Sequence, residues 1–419
     1  MPYPYQFLKC SDKKELLDAY IGKHVKDLPT PSLIIDRSQV KKNCMATFET
    51  VRKLGFEFRP HVKTHKTTEG TLLELGEGTD FSTSRIVVST LTEAWNLLPL
   101  VKSGRIDDIL FSMPVMQSRL GEMADLSKFV KNFRMMLDNQ KQVDALVEFS
   151  KKNNYAKKWS IFIKINMGSN RAGFELTSSE LKQTLQQILT TDARNYIEIY
   201  GFYCHAGHSY GCHSLEEAEK VLVDEISSAN SAAKMALEID KSLQLVLSVG
   251  ATPTAHAAGL YNSGQLDSKL YGEVELHAGN FAFCDLQQAG TNCCKLESIA
   301  CTVLAEVISA YPGRGSQKPG EELVNAGVLG IGRETGAIPG FGKVCWPKEY
   351  SNWIVGRVSQ EHGILTVLDH HEPTKMIPIG TKVLIYPQHT CIAAACYPWY
   401  FIVDNVDEVV DVWVPWRGW

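Results

Sequence analysis

Residues 56–66 read FEFRPHVKTHK, and the way this stretch is read decides the fold. Phe56, Phe58 and Val62 form an apolar run that ends in Lys63, flanked by His61, His65 and Lys66. At the end of a buried strand an ammonium is costly, which favours the neutral, nucleophilic amine. A Schiff base with a carbonyl cofactor needs such an amine. The plainer reading is a basic strand end solvated at the surface, and this segment alone leaves both readings open.

Outward from that strand the same unit recurs. Runs rich in β-branched and aromatic residues appear at 86–89, 108–112, 133–137, 159–165, 199–204, 245–249 and 273–277. Helical patterns lie between them, such as QKQVDALVEFSKKN from Gln140 and SLEEAEKVLVDEISSANSAAKMALEI from Ser214. The second places apolar residues at three- and four-residue intervals and acidic residues in its first turns. Repeated strand-then-helix units predict an α/β protein with a (β/α)8 barrel, a doubly wound sheet being the other option. Before it, PSLIIDRSQVKKNCMATFETVRKL reads as a strand and a helix starting near Gln39, capped by Asp36 or Ser38.

After about residue 293 the helical period fades. Short strands separated by Gly and Pro take over: TVLAEVIS, NWIVGRVS, GILTVLD, KVLIYP, YFIVD and EVVDVWVPW. The expected domains are therefore a barrel over 28–292 and a mainly β domain over 293–419 that recruits residues 1–27.

Composition narrows the class. With 44% hydrophobic and 21% charged residues and a net charge of -4, the 419-residue chain is globular and lacks the basic field that nucleic acid needs. No apolar stretch is long enough to span a bilayer. The opening MPYPYQFLKCSDKKELLD carries charges and prolines where a signal peptide needs an apolar core. Eleven scattered cysteines, with Cys293 and Cys294 adjacent, read as reduced thiols rather than a disulfide framework. The expectation is a cytoplasmic enzyme with a small-molecule substrate, no nucleic acid and no membrane.

In such a barrel, functional groups gather at the C-terminal strand ends. The fifth strand, WSIFIKINMGSNRAG, ends in a glycine-rich turn presenting Arg171, a permanent cation suited to a phenolate or carboxylate. The sixth, YGFYCHAGHSYG, offers Tyr203, His205, His208 and Tyr210. The seventh, LVLSVGATPTA, brings Ser248, Gly250, Thr252 and Thr254; the eighth, VELHAGN, ends at Gly279 and Asn280. Glycine beside a small polar residue lets backbone N–H groups approach a phosphate. Taken singly, each of these is equally a satisfied core group or an ordinary turn. In the C-terminal domain, Pro387-Gln388-His389-Thr390-Cys391 places His and Cys at i and i+2, which project to the same face of a strand. Imidazole and thiolate together suit zinc, with the remaining positions left to the other domain, water or substrate.

The segments LPTPSLIID, FRPHVKTHKT, FIKINMGSNRAG, YGFYCHAGHSYG, LSVGATPT, VELHAGN, VSQEHGI, YPQHTC and DVWVPWRGW resemble the eukaryotic D-serine dehydratases, close to their fungal members. These are zinc- and pyridoxal-phosphate-dependent enzymes of fold type III, and the likeness runs from about Leu28 to Trp419. More distantly the chain is similar to D-threonine aldolase and to the barrel of alanine racemase. The resemblance implies an alanine-racemase-like barrel, a C-terminal β domain and a homodimer. It also implies that Lys63 carries the cofactor and that Arg171 lies near its phenolate. Tyr203 would lie near its ring, and Tyr210, Thr252, Gly279 and Asn280 would make further cofactor contacts. His389 and Cys391 match the zinc pair. Thr254, two residues from Thr252 in the same loop, stays an alternative.

The implied reaction is β-elimination of D-serine to pyruvate and ammonia, with D-threonine as a further candidate substrate. Lys63 would remove the Cα proton, and zinc would draw off the β-hydroxyl. Two other readings stay open: retro-aldol cleavage of the D-threonine aldolase type, and a pyridoxal-phosphate homeostasis protein without turnover. The added β domain and the His-x-Cys pair speak against the second. Racemisation, which needs no metal at a hydroxyl, is disfavoured.

Overall fold

The structure, a computed structural model, describes residues 2–266 and 269–419. Strand β1 (Ser32–Asp36) runs into the helix Arg37–Leu54, and of the two candidate caps Asp36 is the one used. Its carboxylate accepts from the N–H groups of Ser38 and Gln39, so the helix opens two residues earlier than the periodicity implied. Gly55, at φ 64°, closes it in the left-handed conformation that glycine adopts without strain.

The next strands are β2 (Glu57–Pro60), β3 (Arg85–Val88), β4 (Asp108–Pro114), β5 (Asn132–Leu137) and β6 (Trp159–Asn166). They are followed by the two-residue β7 (Phe174–Glu175), then β8 (Ile197–Tyr203), β9 (Val246–Val249) and β10 (Glu273–Ala278). Eight of them pair in parallel in the order β2-β10-β9-β8-β6-β5-β4-β3, while β7 pairs only with β6. A parallel bridge between His61 and Val87 joins the two ends. The result is the nearly closed barrel the sequence predicts, and the doubly wound alternative falls away. Helices such as Gln140–Asn153 and Leu215–Ile239 cover its outside.

Inside the barrel, Val87, Leu110, Met136, Phe162, Tyr203 and Val246 pack as one apolar cluster. The buried Arg59 is matched on both sides, by Asp108 at 2.7 Å and Glu275 at 2.8 Å, and Arg134 takes the second oxygen of Asp108. Buried charges are tolerated only when paired in this way.

The remaining strands are β11 (Cys301–Pro312), β12 (Gly320–Val324), β13 (Gly342–Trp346), β14 (Trp353–Val358), β15 (Gly363–Val367), β16 (Lys382–Pro387), β17 (Tyr400–Val403) and β18 (Asp411–Trp413). Strands β12-β15-β14-β13-β16-β11 follow one another antiparallel, and β12 pairs back onto β11, closing a six-stranded barrel. The sequence reading lacked β12 and β13, whose Gly-Glu-Glu and Gly-Lys starts break the apolar alternation.

One segment lies elsewhere than expected. Strand β1, within the stretch 28–292 assigned to the barrel, sits in the second sheet, antiparallel to β11 and parallel to β17. The cause is its apolar face: Ile34 packs with Leu28, Leu304, Phe401 and Val412 in a core separate from the barrel's. Residues before it tie the two parts together. Tyr5 stacks on Trp95 of a barrel helix at 4.6 Å, while Lys13 pairs with Asp411 in β18 at 3.1 Å.

Candidate active site

Strand β2 ends at Pro60, so Lys63 stands in a turn past the strand end rather than in a strand running to residue 63. Lys66 N–H donates to Val62 O at 2.8 Å, and Lys63 N–H donates to His61 Nδ1 at 3.3 Å. His61 Nε2 lies 3.2 Å from Ser89 Oγ at the end of the neighbouring strand. Burial, and then the charge of Lys63, hold the His61 imidazole well below its ordinary pKa, so it stays neutral. Of the two lysines in the turn, Lys66 is already committed: its Nζ is 2.8 Å from the buried Glu93 carboxylate. Lys63 is the one that opens into a cavity.

That cavity, about 390 Å³ at the C-terminal end of the barrel, is lined by Lys63, Lys164, Arg171, Tyr203 and His205 among others. The Tyr203 ring stacks on His277 at 4.0 Å and 9°, forming a flat wall. His205 Nδ1–H donates to Gly250 O at 2.8 Å, which keeps its ring fixed. Burial, then the Arg171 guanidinium, push the Lys164 ammonium down to about 8. His208, one of the sixth-strand candidates, is exposed. Gly279 passes behind Lys63: a Cβ there would sit 3.0 Å from Lys63 Cε.

Beside the cavity, Thr252, Asn280 and Tyr210 form a second, linked group. Thr252 Oγ1 accepts from Asn280 N–H at 3.2 Å, and burial pushes the nearby Tyr210 phenol up. Thr254 is spoken for. Its Oγ1 accepts from Ala251 N–H at 2.8 Å and donates to the buried Glu225 at 2.9 Å. Glu225, which the sequence reading did not single out, also accepts from Ala206 N–H at 2.7 Å and so ties two strand-end loops together.

These residues fit pyridoxal phosphate. Lys63, Lys164 and Arg171 converge on one cavity, where a bound anion would offset their charges. Asn280 Oδ1 and His277 Nε2 are buried without a partner among the described residues, and Asn280 Oδ1, an acceptor, would be relieved by a bound group that carries a donor.

His389 and Cys391 approach from the other domain. They are not two positions on a strand: β16 ends at Pro387, His389 caps the short helix Thr390–Ala395, and Cys391 lies in its first turn. The side chains meet all the same, through the turn rather than through strand alternation. Thr64, next to Lys63, places its Oγ1 3.1 Å from Cys391 Sγ. Burial opposes a thiolate, but the His389 imidazole outweighs it and draws the Cys391 thiol below its ordinary value.

A further residue organises this corner. Asp285 Oδ2 lies 2.8 Å from His389 Nδ1, accepts from Thr390 N–H at 3.0 Å, and accepts from Asn280 Nδ2 at 2.5 Å. Metal-ligating histidines characteristically hold a carboxylate on their second nitrogen, which leaves Nε2 for the metal. Among the described residues no group of three or more His, Cys, Asp or Glu side chains is placed to hold an ion. The donors present, one imidazole and one thiol, fit an open zinc site completed by water or substrate.

Comparison with known proteins shows which proteins the chain is similar to. Residues 35–265 match the alanine racemase N-terminal domain, and residues 300–403 match a putative serine dehydratase domain. The chain is 47% identical to a D-serine dehydratase of Schizosaccharomyces pombe over 97% of its length and 96% of that protein. It is 39% identical to a D-serine dehydratase of Saccharomyces cerevisiae, over 97% of its length and 100% of that protein. Among solved structures, D-threo-3-hydroxyaspartate dehydratase from Delftia sp. superposes with a TM-score of 0.80 at 27% identity, covering 95% of this chain and 100% of that one. A mutant of that dehydratase in the metal-free form superposes equally well, with a TM-score of 0.80, 26% identity, and coverage of 95% and 100%.

Proposed function

The chain belongs to the D-serine dehydratase family, and from that premise we propose which of its residues carry the reaction and that zinc takes part. The protein is a pyridoxal-phosphate-dependent ammonia-lyase that converts D-serine to pyruvate and ammonia.

Lys63 is assigned as the residue that holds the cofactor and as the base for the Cα proton. The observation that carries this reading is the contact of Thr64 Oγ1 with Cys391 Sγ at 3.1 Å, which puts the Lys63 turn against the His-x-Cys pair of the other domain. When bound, pyridoxal phosphate supplies an electron sink for the pair left at Cα, and zinc a Lewis acid for the departing hydroxyl.

The other roles follow from position. Arg171, lining the Lys63 cavity, suits the cofactor phenolate, and the Tyr203–His277 stack gives the ring a flat neighbour. Tyr210, Thr252, Gly279 and Asn280 are assigned to the cofactor's phosphate end. Thr252 is preferred over Thr254, whose hydroxyl Glu225 and Ala251 occupy. His389 and Cys391 hold zinc, with Asp285 fixing the imidazole. A metal at this position also accords with the metal-free form described for a mutant of D-threo-3-hydroxyaspartate dehydratase. A homodimer, a cytoplasmic location and activity on D-threonine complete the reading and rest on the family likeness. Among the described residues no helix is long and apolar enough to cross a membrane.

The test is product analysis with D-serine. Pyruvate and ammonia should form in equal amounts without glycine or formaldehyde, and D-serine deuterated at Cα should react more slowly if Lys63 removes that proton in a rate-limiting step. Glycine from D-threonine, with no 2-oxobutyrate, would favour the aldolase instead.

A further inference from the structure

The Trp416-Arg417 segment hydrogen-bonds both the turn bearing Lys63 and the helix bearing Cys391, and the roles assigned above do not use it. Arg417 Nη2 donates to Ala394 O at 2.5 Å and to Tyr397 O at 3.0 Å. Ala394 lies in the last turn of the helix Thr390–Ala395 that carries Cys391, and Tyr397 lies just beyond it. Ala394 O also accepts from Tyr397 N–H at 3.2 Å, and a guanidinium suits the negative end of a helix.

The same nitrogen, whose two hydrogens are shared among three acceptors, also donates to Tyr400 Oη at 2.6 Å. Tyr400 is fully buried, and its hydroxyl lies 3.2 Å from His65 O and 3.4 Å from Ala394 O. A phenol has one proton to give. With Arg417 holding both Ala394 O and the phenol oxygen, that proton is free for His65 O, and a chain of this kind strengthens its own links. Trp416 N–H donates to Lys66 O at 2.8 Å. Two carbonyls of the turn bearing Lys63 are therefore held by β17 and the segment after β18, and the helix bearing Cys391 is held by the same arginine.

We infer that Arg417, acting through Tyr400, is a positioning residue that sets the Lys63 turn against the Cys391 helix, so that the base and the metal ligand act on one substrate. The inference rests on the assignment of Lys63 as base and Cys391 as zinc ligand. Direct packing between the two domains brings these elements near each other. Thr64 touches Cys391 directly and Tyr400 lies within reach of both His65 O and Ala394 O; Arg417 fixes the Tyr400 phenol and the helix end together.

The test compares purified, cofactor-loaded R417A, R417K and Y400F with the parent and with C391A. Removing a group that hydrogen-bonds a metal ligand costs about 10–100-fold in affinity or activity, and Arg417, one step further out, should act at the lower end of that range. R417A should show that loss in kcat on D-serine, and about a tenfold loss in zinc affinity by chelator competition. Its KM and cofactor absorbance should stay at the parent's values. Methylguanidine added to R417A should restore part of kcat by filling the vacated site. R417K, which keeps the charge but loses the fork, should fall between the two. A structural role alone would lower the melting temperature and leave kcat, zinc affinity and rescue unchanged, and that result overturns the inference. If R417A does not fold, Y400F decides: it keeps the ring and removes the relay, and parent kcat and zinc affinity there would overturn the inference. Parent turnover in C391A would instead overturn the zinc assignment itself, whatever Arg417 does.

Discussion

His389 Nδ1 lies 2.8 Å from Asp285 Oδ2, and the same oxygen accepts from Asn280 Nδ2, so one carboxylate joins the proposed zinc ligand to the proposed phosphate contact. The D285A variant should therefore lose two properties at once. Zinc affinity should fall about 10–100-fold, the usual effect of removing a ligand's carboxylate partner, and cofactor affinity should fall with it. N280A should weaken cofactor binding alone. Chelator competition and equilibrium dialysis of pyridoxal phosphate measure the two separately.

Borohydride reduction of the loaded enzyme should fix a pyridoxyl group on Lys63, located by peptide mapping, and K63A should lose nearly all turnover. K66M should behave differently. It leaves the buried Glu93 carboxylate without its cation while Ser89 N–H and the Thr90 hydroxyl still donate to it, so the loss should fall below the about 3–5 kcal/mol of a fully buried pair, which thermal unfolding would register. An adduct found on Lys66 would reverse the assignment.

The two threonines in the first turn of the helix Thr252–Ala257 should separate by phenotype. In T254V, Glu225 Oε2 and Ala251 N–H both lose their hydroxyl partner, which predicts about 1–3 kcal/mol of lost stability. T252A should instead weaken pyridoxal phosphate binding by about tenfold, the equivalent of one hydrogen bond to a charged group. Melting temperature and cofactor affinity, measured on both variants, decide between the two positions.

Glu225 predicts a pH dependence with a definite sign. Burial, only partly opposed by Thr254 and the Ala206 and Gly250 backbone, raises its carboxyl to about 8. A carboxyl raised above its unfolded value stabilises fully at low pH, and that stability is lost as pH rises through the folded value. Relative to E225Q, the parent should lose stability between about pH 4.5 and pH 8, by about 1.4 kcal/mol per unit across the interior of that window. Denaturant unfolding of both proteins from pH 5 to 9 tests it. A constant difference would mean that Glu225 is charged throughout.

The elements were legible wherever the signal is local. The helix Gln140–Asn153 begins and ends where its 3.6-residue period does, and the eight parallel strands fall on the β-branched runs. The strand-end clusters were legible as well, because a barrel delivers the C-terminal ends of its strands to one face whatever their details. Strand length was less so: β2 stops at Pro60, and the turn that follows was read as strand.

By itself, the sequence determined the barrel, the β domain, and the residues that could carry a Schiff base or bind zinc. Each of these follows from periodicity, propensity or a short motif within one segment. Only the tertiary structure decided that Lys66 is occupied by Glu93, that Thr254 is occupied by Glu225, and that β1 belongs to the second sheet. It likewise joined His389 to Asp285, 104 residues away, and Arg417 to the helix bearing Cys391. No local pattern encodes such pairs. Which buried donor meets which buried acceptor depends on how two domains pack, and the cost of leaving either one unpaired in the interior then holds the pairing in place.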